Sequence, residues 1–218
     1  MATVTNTLPL LVVAGSSGVG KGALLQRLFS LYPSTFAYSI SYTTRAKREG
    51  ETHGKEYYFV SRSEFEKCIK NNEFLEYTTT FGNYYGTTLA EVARIQKTGC
   101  ICVLEVDLQG VSQMQTSQKK IQSFYVYLYP PNLQTLQKRL EHRNTENQHE
   151  VITRLEHSKK ELELAKSMQF DCVLLNNDFE QCFSALQKNV QTFYAPHSSL
   201  LQRRDILGET YKKDAKPL

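Results

Sequence analysis

The sequence predicts an α/β fold built on a largely parallel sheet and interrupted by two inserted lobes. Three observations carry that prediction. Short apolar runs alternate with longer helical patterns, the signature of strand–helix–strand units. The stretch "VVAGSSGVGKGALLQRLF", Val12 to Phe29, passes from an apolar run through a glycine-rich turn into a helix. Two polar, charged stretches are too long to be loops of a compact domain.

The core strands are expected at Leu10–Ala14, Ile101–Val106, Phe124–Tyr129 and Cys172–Leu175, each short and apolar enough for a buried sheet. Between the first helix and Ile101 lies "AYSISYTTRAKREGETHGKEYYFVSRSEFEKCIKNNEFLEYTTTFGNYYG". Its tyrosines and threonines alternate like short strands, with one helix near Ser63 to Lys70, so it reads as an inserted lobe. After Pro130 and Pro131, "LQTLQKRLEHRNTENQHEVITRLEHSKKELELAKS" gives two helices joined by a polar turn at Asn144 to Gln148. Phe179, Cys182, Phe183, Leu186, Val190 and Phe193 then recur at spacings of three and four, one apolar helix face with Asp178 as its N-cap. Beyond Ala195 the chain turns polar and basic, with a short amphipathic piece around Leu200 to Leu207.

A chain of 218 residues, 40% hydrophobic and 22% charged, is that of a globular protein, neither disordered nor membrane-spanning. Its net charge of +4 suits nucleic acid, an anionic surface or small phosphorylated ligands, so the placement of the arginines must decide. The N-terminus "MATVTNTLPLL" lacks the basic region and cleavage site of a secretory signal, and no apolar run approaches the ~18 residues of a membrane span. A cytoplasmic home is expected. Five cysteines, Cys68, Cys100, Cys102, Cys172 and Cys182, form no C-x-x-C pair, which excludes a disulfide framework or zinc knuckle and leaves buried, reduced thiols.

The pattern G-x-x-x-x-G-K-[ST] is met from Gly15 through Lys21, yet Gly22 stands where a magnesium-binding hydroxyl is expected. Gly15, Gly18 and Gly20 let successive N–H groups of Ser16, Ser17 and Val19 and their neighbours point into one cup. The following helix, through Gly22 and Ala23, brings its positive end to the same place, and Lys21 adds a mobile charge. The plainer alternative is a glycine-rich turn with a solvated lysine. Magnesium also bonds phosphate oxygens and water, so the loss of one protein ligand leaves a working site with looser metal control.

Four further segments, "SISYTTRAKREGE", "GKEYYFVS", "NNEFLEYTTTFGNYYGTT" and "VLEVDLQGV", follow in order, joined by "KRLEHRNTEN" and "LLNND". With the phosphate loop they make the sequence resemble the guanylate kinases from about Leu10 to Phe193. The resemblance implies a P-loop NTPase-type parallel sheet core flanked by helices, with an inserted mixed β GMP-binding lobe and a helical lid. On that pattern residues 8–38, 87–138 and 157–193 form the ATP-binding core and residues 39–86 the GMP lobe. Residues 139–156 form the lid, and residues 194–218 a polar tail. The implied reaction moves the γ-phosphoryl group of ATP to GMP, and to dGMP, in a monomer that uses Mg2+ with ATP. That metal is held mainly by phosphates and water, with Asp107 the protein residue that reaches it.

The matched residues fit such chemistry. Arg45 and Arg48, three apart, are guanidinium forks that can grip a dianionic phosphate beside Tyr57 and Tyr85, although alone they would read as a solvated basic segment. Glu76 matches the carboxylate that accepts from the N1–H and 2-amino edge of guanine, while Ser41, Thr87 and Gly86 line that subsite. Where Thr87 stands the family more often has serine. Glu105 and Asp107 fall on one face at a strand end, which the resemblance puts near GMP and the metal-bound phosphates; the alternative is that both cap a neighbouring helix or pair with an arginine. Arg139, Arg143 and Arg154 match the lid arginines, which with Lys21 and Arg45 carry the transition-state charge; Arg139 and Arg143 equally fit a solvated stripe beside Glu141 and Glu146. Asn176 matches a position near adenine.

No histidine is needed, since an acceptor phosphate with a second pKa around 6 is already ionised at pH 7. The rival reading is a guanylate-kinase-like module that binds phosphorylated peptides without catalysis. Lys21, the whole glycine loop and three lid arginines argue against it, as does the expectation that no interaction domain is attached. Nucleic acid is not an expected partner, because its basic residues would have to form a continuous stripe.

Overall fold

In the computed structural model, which describes residues 7–80, 82–142, 148–197 and 201, all four core strands expected from the sequence are present. The chain runs β1 (Leu10–Gly15), α1 (Lys21–Leu31), β2 (Phe36–Tyr38), β3 (Tyr42–Thr43), β4 (Tyr58–Phe59), α2 (Arg62–Lys70), β5 (Phe74–Thr80) and β6 (Asn83–Thr88). It continues through α3 (Leu89–Gln96), β7 (Ile101–Val106), α4 (Leu108–Thr116), β8 (Ser123–Tyr129) and α5 (Leu133–His142). It then passes through α6 (Gln148–Ala165), β9 (Cys172–Leu175) and α7 (Phe179–Phe193) to a 3-10 turn at Ala195–His197. Residues 143–147, which hold Arg143 and the expected turn up to Gln148, and the tail apart from residues 194–197 and Leu201 lie outside the described residues; Gln148, expected in the turn, opens α6.

Five strands make a parallel sheet in the order β2-β7-β1-β8-β9. A parallel sheet must be covered on both faces, and β1 is accordingly buried at every position. Leu11 and Val13 face one apolar cluster with α1 and α7, while Leu10, Val12 and Ala14 face a second with α3 and α4. Asp178 caps α7 as expected, accepting from Gln181 N at 2.8 Å.

The strand β2 was not expected. It is three residues long at the sheet edge and carries too little apolar pattern to be read, yet Phe36, Ala37 and Tyr38 pair with Ile101 to Val103. The cysteines also need correction. Cys102, Cys172 and Cys182 are buried, but Cys68 and Cys100 are only partly so. Cys68 lies on the short lobe helix α2, and Cys100 precedes β7 where the chain enters the sheet. All five are free thiols.

A second, mixed sheet, β4-β3-β6-β5, occupies the stretch read as an inserted lobe. It joins the core where Ile40 N donates to Glu91 of α3 at 3.0 Å, a buried carboxylate that Arg94 also grips. Among the described residues no helix is long and apolar enough to cross a membrane.

Candidate functional site

The glycine loop leaves β1 and ends on Gly20, whose φ of 104° opens α1. A Cβ there would lie 2.5 Å from the amide of Asn176 and meet a left-handed backbone as well, so only glycine fits. No side chain caps α1, and no acidic residue stands in its first turn. Its N–H groups and positive end are therefore left for an anion. Lys21 Nζ donates to Gly15 O at 2.6 Å and Ser16 O at 3.4 Å, with Glu105 at 3.8 Å. A Cβ on Gly22 would meet nothing within 4 Å, so the missing hydroxyl leaves open space and no steric demand.

Behind the loop a polar brace sets its shape. Asn176, only 4% exposed, donates to Val19 O at 2.7 Å, and Arg139 of α5 donates to Val19 O and Asn176 O at 3.3 and 2.9 Å. Gly18 packs against Leu140 of the same helix. From α6, Arg154 donates to Ser17 Oγ at 2.7 Å. Ser16 is fully buried, and its hydroxyl has no partner among the described residues.

Opposite the loop, Arg45 forms a two-pronged ion pair with Glu51 at 2.7 and 3.0 Å, above the rings of Tyr57 and Phe59. Glu51 also accepts from Arg48 N at 2.8 Å, and these cationic partners hold its carboxyl below the usual range. Tyr57 packs edge-on to Tyr85 at 6.0 Å, and burial raises its phenol. Glu51 escaped the sequence reading although it stands in "TTRAKREGE"; the signal was a carboxylate six residues past an arginine in a strand-poor loop.

Deeper in the cleft, Glu76 is 5% exposed and its pKa is pushed up to about 7, chiefly by burial, against the opposing hydrogen bonds from Thr87. Thr87 Oγ1 stands 3.4 Å from Ser41 Oγ. Asp107 caps α4 by accepting from Gly110 N at 2.9 Å and faces Thr80 Oγ1 at 3.4 Å, so the capping alternative describes one of its oxygens.

One cleft of about 610 Å³ joins these groups: Gly15, Ser17, Lys21, Glu105, Asp107 and Arg154 on one side, and Ser41, Arg45, Arg48, Tyr57, Glu76, Tyr85 and Gly86 on the other. Tyr38, His157 and Glu161 line it too, unforeseen in the sequence. Thr87, Arg139 and Asn176 are not among its lining residues, and neither are Ser16, Gly18, Val19, Gly20, Gly22 and Ala23 of the glycine loop. A larger open groove between α4 and α6 contains none of these groups.

A family profile described as guanylate kinase matches residues 8–193. The chain belongs to the guanylate kinase family. The guanylate kinase of Sus scrofa is 39% identical over 178 residues, covering 81% of this chain and 89% of the relative. Guanylate kinase 1 of Oryza sativa is 38% identical over 179 residues, and there the chain spans 46%, about half, of the relative's length. The crystal structure of guanylate kinase from Anaplasma phagocytophilum matches with a TM-score of 0.64 at 25% identity, covering 94% of this chain and 98% of that one. The phosphopeptide-binding alternative is disfavoured, since the matched relatives bear the names of kinases.

Proposed function

We propose that this chain transfers the γ-phosphoryl group of ATP to GMP, and to dGMP, giving ADP and GDP. The observation that supports this reading is the single cleft onto which Lys21, Arg45, Arg48, Arg154 and the buried Glu76 all open. Two anionic nucleotides brought there meet positive charge from three separate segments. Their phosphates are then held close enough for direct transfer, which is mostly a matter of positioning and electrostatics.

The uncapped start of α1 and Lys21 take the phosphates of ATP, and Lys21 exchanges two carbonyl partners for phosphate oxygens. Arg45, Arg48, Tyr57 and Tyr85 take the acceptor phosphate. Glu51 already orders the Arg45 side chain in a bidentate pose, so less conformational freedom is left to lose when phosphate arrives to share or displace that carboxylate. Glu76 accepts from N1–H and the 2-amino group of guanine; adenine would set a lone pair against it. Arg154 and Arg143 stabilise the charge spread over the transferring group, while Arg139 and Asn176, expected at the transition state and near adenine, are hydrogen-bonded to Val19 O and are given a bracing role instead.

The donor set suits magnesium. Glu105 and Asp107 offer at most two carboxylates at the end of β7, and no cluster of three or more metal-ligating side chains occurs among the described residues. Such a site fits an ion that retains several waters and binds through phosphates. When bound, Mg2+ offsets the charge of the β- and γ-phosphates and orients them. The enzyme is taken to act as a monomer in the cytoplasm.

An acceptor panel of AMP, CMP, UMP, GMP and dGMP, read by ADP release from ATP, tests the reading. GMP and dGMP should be turned over well above the other three. Absence of ADP release with GMP, or equal use of AMP, would overturn it.

A further inference from the structure

The strand that carries Glu76 is irregular at that point. Phe74 pairs with Thr88 and Glu76 with Thr87, which leaves Leu75 as an extra residue, a bulge. Leu75 turns into the core cluster and Glu76 is buried beside it. β5 is also the edge of its sheet, so the peptide groups on its outer side have no strand neighbour.

Two side chains of the core take that neighbour's place. Gln113 of α4 donates from Nε2 to Tyr77 O at 2.6 Å and accepts from Tyr77 N at 3.0 Å. A carboxamide carries donor and acceptor side by side as a peptide group does, so one glutamine replaces one residue of a missing strand. Lys119, in the loop after α4, donates to Phe74 O at 2.8 Å and Asn72 O at 3.1 Å. The two contacts bracket Leu75 and Glu76. Between them α4 comes so close at Gly110 that a Cβ there would stand 2.9 Å from Glu76 Oε2.

We propose that Gln113, aided by Lys119, is a positioning residue for base selection, pinning the edge of β5 on both sides of the bulge so that Glu76 stays aimed at the guanine edge. The inference rests on the reading of GMP as acceptor. A strand with an unpinned bulge slips easily, and a slip of one residue turns Glu76 to the opposite face. A carboxylate that burial makes costly gains by moving toward water, so it stays in place only where the backbone is held.

The test compares wild type with Gln113→Leu, Gln113→Glu and Lys119→Met. KM and kcat are measured for GMP and for inosine monophosphate, which lacks the 2-amino group, with KM for ATP and the thermal midpoint alongside. In Gln113→Leu the GMP KM should rise about tenfold, the worth of one hydrogen bond. The preference for GMP over inosine monophosphate should fall with it, while kcat and the KM for ATP stay within about twofold because the loop is untouched. Gln113→Glu keeps the acceptor for Tyr77 N and should recover part of the loss. Hydrogen exchange at the Tyr77 amide should quicken in Gln113→Leu. An unchanged preference in a variant with a normal thermal midpoint, or an equal loss for both acceptors, overturns the inference. If Gln113→Leu does not fold, Lys119→Met decides, since Lys119 is exposed. A wild type inactive on GMP would instead overturn the proposed reaction.

Discussion

In the proposed reaction Glu76 would couple selectivity to acidity through one side chain. Burial raises its pKa to about 7, so as pH climbs from about 4.5 the unfolded chain loses this proton while the folded chain keeps it. The residue's contribution to stability therefore falls as pH rises from about 4.5 to 7 and is flat above, a change on the order of 3 kcal/mol. Guanine needs the ionised form, so GMP affinity should weaken as pH drops below about 7. Glu76→Gln should abolish that dependence and narrow the preference for GMP over AMP. KM for both acceptors between pH 6 and 8 checks this, with phosphate ionisation, near pH 6 in both, as the shared background. Glu76 was legible because a carboxylate in "FLEYTTTFGNYYG" matched a known pattern; the partner of Arg45 was not, since the fold of the loop alone brings Glu51 to it.

At the level of elements, legibility followed length and burial. β1, β7, β8 and β9 are runs of four to seven largely apolar residues, and their bounds match the expected ones to within a residue. β3 and β4, two residues each, fall in the lobe whose tyrosines and threonines alternate like short strands, but their bounds come from pairing; β2, three residues at the sheet edge, has no local pattern to announce it. The bulge in β5 is likewise a property of two strands and an adjoining helix. α7 was readable from its Asp178 cap and its apolar periodicity, whereas α2 carries a capping box in which Ser61 and Glu64 satisfy each other's backbone N–H, a signal the sequence reading left unused. α6 differs, because it reaches across to the phosphate loop through Arg154. Arg154→Ala should lower kcat by about a hundredfold, as for loss of one transition-state donor, and change the GMP KM far less. A raised KM with unaltered kcat would assign Arg154 to ground-state binding instead.

Across the whole molecule, a modest excess of positive charge acquires meaning from where it converges. Arginines from residues 45, 48 and 154 and the lysine at 21 come from distant parts of the chain, yet all open on one cleft. If both nucleotides draw the same walls together, each should favour the other's binding. GMP with a non-hydrolysable ATP analogue should then raise the thermal midpoint by more than the sum of the separate shifts. A simply additive shift would mean that the two halves of the cleft bind independently.

The fastening of β5 to α4 bears on how such a protein can be rebuilt. The proposed GMP lobe, residues 39–86, would be the obvious unit to transplant when a new acceptor is wanted, but its strand β5 is fastened to Gln113 and Lys119 of the host and Gly110 lies close against Glu76. A chimera that moves the insert alone would carry the recognising carboxylate away from its support, so the exchanged module has to be discontinuous in sequence.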